Sequence, residues 1–322
     1  MNERPGGEIT ELLKRGDGYA NAGDPKAAMA FYQSALKSAR QSRFVDQATL
    51  AELQRAQAFI QERAQQFQRS LDEAMSGAAP ADAAAALRLR HSLEMLKGDR
   101  QIFVQQPSVF YYPYLAQRQF FEREEFDWVP ALEAAAPAIR AELSALLEDA
   151  DFRPYIENDP DRPYRDFHGL NEDRSWSALY LWRNGKVVED NARRCPATMA
   201  ALEQVPLSQI GSQTPAVLFS RLEPGAHIPP HGGMLNCRLI CHLPLIVPPG
   251  CWLRVGNETR EWREGEMLIF DDSIEHEAKN PTGELRIILL FDVWRPELGE
   301  EERRAISSIF DAIDRFQGVP EG

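Results

Sequence analysis

The sequence predicts an α+β protein in which a helical N-terminal part precedes a β-sandwich or barrel. Three observations predict it. Residues 8 to about 98 are dominated by Ala, Gln, Glu, Arg and Leu and are poor in β-branched residues, a helix-forming composition. From about residue 176 the pattern switches to short apolar runs. Pro-Gly at 224–225 and 249–250 and Gly-Asn at 256–257 punctuate those runs as turns. Many short strands so spaced form a sandwich or barrel.

Taken in order, Leu12, Gly16, Tyr19, Gly23-Asp24, Ala28, Tyr32 and Ala35 follow the spacing of one tetratricopeptide repeat. In such a repeat small residues let two antiparallel helices approach, and aromatics fill the gap. Residues 44–75 are helical in composition but carry no clear second copy, so a helical cap on the next domain and a peptide-binding module are both open. Residues 101–135 change character. The aromatic, Pro-rich QQPSVFYYPYL reads as a linker or as an element laid onto the following domain. Residues 130–149 form one amphipathic helix, with Leu132, Ile139, Leu143 and Leu147 on its apolar side. Strands are expected at 176–182, 215–222, 235–246, 251–255, 266–270 and 284–294. The tail 300–316 is an amphipathic helix carrying Ile306, Ile309, Phe310, Ile313 and Phe316. The expected domains are therefore 1–100, helical and tetratricopeptide-like, and 101–322, β-rich with a C-terminal helix.

Composition narrows the function. Of 322 residues 43% are hydrophobic and 26% charged, enough apolar material for a sizeable core. A net charge of −13 argues against a nucleic acid or an anionic membrane as main partner, but leaves room for a local basic pocket that takes an acidic small molecule. The N-terminal MNERPGGEIT has no apolar signal core, and no apolar stretch approaches a membrane span. A soluble, cytoplasmic protein is expected. Cys195, Cys237, Cys241 and Cys251 are then expected as buried thiols. Without a C-x-x-C pair, a zinc site from the last three is disfavoured.

Chemistry concentrates in the β-rich part. His227, His231, His242 and His276, four of six histidines, fall within 50 residues, which points to a metal. Alternation along 235–245 puts Leu235, Cys237, Leu239, Cys241, Leu243 and Leu245 on one face, against a core. The other face carries Asn236, Arg238, Ile240 and His242. In a barrel that face lines an interior cavity, where an anionic ligand would partner the buried charge; a solvated face is the plainer alternative. Arg286 is embedded in the near-continuous apolar run ELRIILLFDVW, so it needs a carboxylate or phosphate, either a ligand's or an internal acid's. The order is His231, then His276 after 45 residues, then Arg286 after ten. A double-stranded β-helix places such elements around one cavity.

Four segments then carry a resemblance: PHGGMLNCRLICHLPLIVPPGC at 230–251, NETREWREGEMLIFDDSIEHE at 257–277, RIILLFDVWRPEL at 286–298 and SWSALYLWRNG at 175–185. The chain resembles the aspartyl/asparaginyl β-hydroxylase family of iron(II)/2-oxoglutarate oxygenases, over roughly 107–298. The resemblance implies a double-stranded β-helix (jelly-roll, cupin-like) catalytic domain behind the helical one. It implies iron(II), 2-oxoglutarate and O2, and hydroxylation of the β-carbon of Asp or Asn in a peptide or protein. His231 and His276 would be iron ligands, and Ser220 and Arg286 would hold the distal carboxylate of 2-oxoglutarate. His242 would lie near the cosubstrate's metal-binding end, with Arg238 a further contact to cosubstrate or substrate. Gly233 stands where most oxygenases of this fold carry a carboxylate ligand, and the family lacks that carboxylate too. Asp272 is then expected to reach the metal through water. Trp176 and Trp182 are candidates for the substrate entrance, or ordinary core aromatics.

One departure bears on substrate. The family commonly has Arg where this chain has Ile240. A free amino acid, a lipid acyl chain or a small metabolite therefore stays open beside the peptide. Two other readings compete: a non-catalytic module that recruits a protein partner through the helical repeat, and a cupin-like metalloenzyme, such as an isomerase, with no cosubstrate.

Overall fold

Helix formation in the first hundred residues starts from local signals. Asp24 accepts a hydrogen bond from the Ala27 amide at 3.0 Å and caps α2 (Pro25–Gln41), with Pro25 in the first turn. Gly23, at φ 78°, makes the tight turn from α1 (Pro5–Asn21). The hairpin closes on Ile9, Leu13, Ala28, Tyr32 and Ala35. A Cβ on Gly16 would stand 2.4 Å from the Tyr32 ring, so glycine is what lets that ring lie on α1. Two more helices follow, α3 (Gln47–Ser76) and α4 (Ala83–Lys97). The helix α3 is one uninterrupted rod of 30 residues, of which only Thr49, Leu53 and Ala56 are buried.

The computed structural model describes residues 5–42, 44–76, 80–147, 151–158, 163–164 and 166–318. It divides into two units, Met1–Arg100 and Gln101–Gly322. No helix among the described residues is long and apolar enough to cross a membrane.

The second unit is a double-stranded β-helix. Its elements are β1 (Phe120–Phe121), α5 (Val129–Leu146), β2 (Arg153–Pro154), β3 (Trp176–Arg183), β4 (Lys186–Val187), α6 (Glu189–Ala192), α7 (Pro196–Leu202), β5 (Val217–Leu222), β6 (His227–His231), β7 (Arg238–Ile246), β8 (Trp252–Val255), β9 (Glu258–Glu261), β10 (Leu268–Phe270), β11 (His276–Lys279), β12 (Arg286–Trp294) and α8 (Glu300–Gln317). The larger sheet runs β1-β10-β7-β12-β5-β3-β2, with β4 on β3; the smaller runs β6-β11-β8-β9.

The larger sheet is covered on both faces. Leu239, Cys241, Leu243 and Leu245 of β7 pack with Ile287, Leu289, Phe291 and Val293 of β12 against Leu132, Ile139 and Leu143 of α5. The opposite face meets the smaller sheet through Trp176, Ile240, Leu253, Val255, Phe270 and Ile288. The alternation read from the sequence of β7 holds from Arg238 onward. Before the strand it fails: Leu235 and Cys237 pack with α8, and the Asn236 carboxamide bonds to Gln105 and Tyr112 instead of lining the cavity.

Six strands lie outside the expected ranges: the two-residue β1, β2 and β4, and the longer β6, β9 and β11. In β6 the pair Pro229-Pro230 reads as a breaker, but β6 is an edge strand bonded only to β11, where missing amide donors cost nothing. In β11, His-Glu-Ala-Lys has no strand-like apolar pattern. The tail helix α8 is less buried than its apolar stripe predicts. Ile306 and Phe310 are covered, whereas Ile309, Ile313 and Phe316 stand exposed. The end of the 130–149 helix lies partly outside the described residues; α5 itself stops at Leu146.

Candidate active site

A cavity of about 280 Å³ opens between the two sheets. Strand register brings the first two candidates there. His231 ends β6 and His276 begins β11, and the antiparallel pairing sets them directly opposite each other. Their ring centroids are 4.1 Å apart. Each ring bonds a backbone carbonyl through Nδ1: His231 to Pro229 at 2.8 Å, His276 to Ile274 at 3.0 Å. A carbonyl only accepts, so both Nδ1 atoms carry the proton and both Nε2 lone pairs are free. Burial pushes both imidazoles toward the neutral form, His276 down to about 3.

Arg286, His242 and Ser220 share the cavity. Arg286 is 1% exposed and donates through Nη1 to the Ser220 carbonyl at 3.1 Å and to Ser220 Oγ at 3.4 Å. Its guanidinium lies 4.8 Å from the Trp262 ring centroid, while Nε has no partner. No ion pair to a carboxylate forms at Arg286 among the described residues, which answers the question left by the sequence. Burial pulls this guanidinium down to about 9. Trp176 Nε1 also donates to Ser220 Oγ, at 3.3 Å. With both lone pairs engaged, the Ser220 hydroxyl hydrogen remains for a further acceptor. Trp262 Nε1 donates to His242 Nδ1 at 3.2 Å, so the neutral ring carries its proton on Nε2. Burial, and then the nearby Arg286 guanidinium, hold His242 well below its ordinary value.

Arg238 has partners that the sequence reading missed. It donates to Asp272 at 3.1 Å and lies 3.5 Å from an oxygen of Asp292. Burial pulls the guanidinium down, but the two carboxylates outweigh it and keep it above its usual range. Asp292 was legible as an acid stranded in the apolar run of β12, and burial lifts it to about 6. Asp272 is likewise lifted by burial, with Oδ1 unpartnered.

Gly233 and Asp272 fit together. A Cβ at 233 would stand 2.1 Å from Asp272 Oδ2, so the carboxylate of Asp272 occupies the volume that a side chain at 233 would need. Gly233→Ala is expected to displace Asp272 and break its bond to Arg238. The cost should be about 1–3 kcal/mol, a fall of roughly 2–10 °C in melting temperature for a domain of this size. An unchanged melting temperature in a thermal scan would contradict this placement.

Not every candidate belongs to the cavity. Trp176 lines it, stacked on Tyr155 at 4.0 Å. Trp182 does not: the β3 register shifts between Tyr180 and Trp182, and the indole packs into the core beneath the other face of the sheet. His227 is half-exposed and pairs with Glu277 at 2.8 Å. The four cysteines are buried and free. Cys237, Cys241 and Cys251 lie in three separate clusters and cannot share a zinc ion. Tyr155, Ile156 and Phe167, also in the lining, come from segments with no strand pattern to announce them.

Comparison with known proteins agrees with this geometry. The profile described as Aspartyl/Asparaginyl beta-hydroxylase matches residues 133–296, about half of the chain. The human protein named Aspartyl/asparaginyl beta-hydroxylase is 38% identical over 184 residues, 56% of this chain and 23% of that one. The Ornithine lipid ester-linked acyl 2-hydroxylase of Rhizobium tropici is 36% identical over 188 residues, 58% of this chain and 63% of that one. The human Aspartate beta-hydroxylase domain-containing protein 1 is 30% identical over 227 residues, 66% of this chain and 54% of that one. The chain thus spans less than two thirds of each relative's length. The matched stretch takes in β3 to β12 and with them both opposed histidines and Arg286, and by that match the chain belongs to the aspartyl/asparaginyl β-hydroxylase family.

Proposed function

We propose that the β unit is an iron(II)- and 2-oxoglutarate-dependent dioxygenase that hydroxylates an unactivated C–H bond. One observation carries this reading: two free imidazole Nε2 atoms and a guanidinium with no carboxylate open into the same cavity. The donor set suits a divalent metal, since both rings are neutral and held by their second nitrogen. His231 and His276 would hold the iron. Bound there, iron with 2-oxoglutarate and O2 supplies the oxidation that turns C–H into C–OH, leaving succinate and carbon dioxide.

The chain's own residues position and exclude. Arg286 grips the distal carboxylate of 2-oxoglutarate by charge-assisted hydrogen bonds, and the spare hydrogen of Ser220 adds another. His242 offers its Nε2–H to the opposite end of the cosubstrate. Asp272, filling the space beside Gly233, would serve as a hydrogen-bond acceptor beside the metal. Trp176, Tyr155 and Phe167 wall off solvent.

The relatives' names supply two candidate substrates for this chain, an aspartyl or asparaginyl side chain and a lipid acyl chain. The test is a mass-spectrometric search for a +16 Da product among peptides and cell extract, with iron and 2-oxoglutarate, against His276→Ala. Succinate release that needs iron and His276 is expected. No succinate from fully loaded protein, coupled or uncoupled, would favour a silent binding module. Turnover that ignores 2-oxoglutarate would favour the cosubstrate-free metalloenzyme.

A further inference from the structure

Two neighbouring aspartates divide the turn between β10 and β11. Asp272 lines the cavity. Asp271 does not; it is 0% exposed, and so is Arg295, which follows β12. Arg295 Nη1 donates to Asp271 Oδ2 at 2.7 Å, and Gln105 Nε2 donates to the same oxygen at 2.6 Å. Asp271 Oδ1 accepts from the Ser273 amide at 3.0 Å and from Ser273 Oγ at 2.5 Å. A carboxylate offers about four lone-pair sites, and here all of them are taken. Arg295 donates further to the Ala116 carbonyl at 2.8 Å and to Glu297 at 2.8 Å. Among the described residues, the buried side-chain atoms without a partner lie on Gln119, Arg238, Asp272 and Arg286, and none lies on Asp271 or Arg295.

The turn that Asp271 closes leads directly into the second metal-binding histidine. The Ile274 amide donates to the Asp271 carbonyl at 3.3 Å, the Gln106 amide to the Ser273 carbonyl at 2.7 Å and the Gly233 amide to the Asp272 carbonyl at 2.6 Å. The Ile274 carbonyl in turn holds His276 Nδ1. Rotating that peptide would move the carbonyl from which the imidazole hangs, and with it the direction of Nε2. A buried ion pair is often matched or exceeded in stability by apolar residues of the same volume. Burying Asp271 with Arg295 therefore asks for a reason other than stability. The turn supplies one: an aspartate bonds the amide two residues on, which an apolar side chain cannot do.

Resting on the function proposed above, we infer that Asp271 and Arg295 are positioning residues for the metal site. Acting through Ser273 and the Ile274 carbonyl, they aim the His276 imidazole at the cation and keep Asp272 beside Gly233. Neither lines the cavity, so both act only through other residues.

Iron(II) binding to full-length protein under nitrogen is measured first, by equilibrium dialysis. No binding by the wild type sinks the proposed function. Asp271→Asn keeps the shape of the side chain but has one acceptor oxygen in place of two, so it cannot hold both Arg295 and the Ser273 amide. It is expected to bind iron(II) about 10- to 100-fold more weakly, the loss that follows from disturbing the outer partners of a metal ligand. Cobalt(II) bound in place of iron gives a second readout, because its visible ligand-field bands follow the angles between ligands; those bands should shift in Asp271→Asn. Glu297→Gln is the control. It loosens the outer side of Arg295 without touching Asp271, and its iron affinity and cobalt bands should match the wild type. Ser273→Ala removes one of the four bonds to Asp271 and should weaken iron binding in the same direction by a smaller factor. It decides the question if Asp271→Asn does not fold. An Asp271→Asn protein that melts at a lower temperature without metal, yet binds iron(II) as tightly as wild type with unchanged cobalt bands, makes the pair a brace for the fold and overturns the inference. So does a Glu297→Gln protein that loses as much affinity as Asp271→Asn, and so does unchanged affinity in Ser273→Ala where that variant has to decide. Each of these leaves the proposed function standing.

Discussion

His276→Ala is expected to lower iron(II) affinity by more than about 100-fold and to reduce succinate formation to background. Loss of an outer-shell partner of a metal ligand alone costs about 10–100-fold, and this change removes one of two protein ligands. The register of β11 on β6 gives His276 its weight, because it pairs with His231 directly across the ladder. Both rings are oriented in advance by carbonyls two residues upstream, Ile274 and Pro229, so binding needs little reorganisation. Removing the imidazole leaves the Ile274 carbonyl without that partner, which should cost about 1–3 kcal/mol of stability but not the fold. Added imidazole should restore part of the iron binding. His227→Ala is the matched control, since His227 sits on the adjoining strand β6 but pairs outward with Glu277. Equal iron affinity in wild type and His276→Ala, measured by equilibrium dialysis, would remove the metal from this site.

How much of this was legible depends on the kind of residue. On β7 strict alternation separated Leu239, Cys241 and Leu243 from Arg238, Ile240 and His242, because both faces are covered and each must satisfy its own environment. On β12 the apolar run announced a doubly buried strand and made Arg286 conspicuous, whereas Asp292 in the same run was passed over. What alternation could not show was pairing across the fold. Nothing local says that Asp272 fills the space beside Gly233, or that Arg238 is shared between Asp272 and Asp292. Local rules also misread β6, because a Pro-Pro pair is tolerated only at a sheet edge, and edges are set by topology. For Trp182 the sequence left open the substrate entrance and an ordinary core place; the register shift on β3 puts it in the core.

Arg286→Met is expected to have two effects of opposite sign. The guanidinium is 1% exposed and has no carboxylate partner among the described residues, so without ligand it is a buried charge held at a cost. An apolar side chain of similar length should stabilise the ligand-free protein by about 1–4 kcal/mol, the range seen when buried ionic groups give way to apolar ones. In the same variant the apparent Kd and KM for 2-oxoglutarate should rise by roughly 30- to 3,000-fold, corresponding to about 2–5 kcal/mol for truncating one partner of a buried charge pair. The wild type should gain thermal stability on adding 2-oxoglutarate with a redox-silent divalent metal, and the variant should gain little. A purely structural Arg286 predicts the reverse: a less stable variant that 2-oxoglutarate still protects. The two melting curves, with and without 2-oxoglutarate, therefore decide between an arginine kept for packing and one kept for a dicarboxylate. The geometry favours the second, because among the described residues the hydrogen bonds of Arg286 run to Ser220, whose own hydroxyl hydrogen is left for the same ligand.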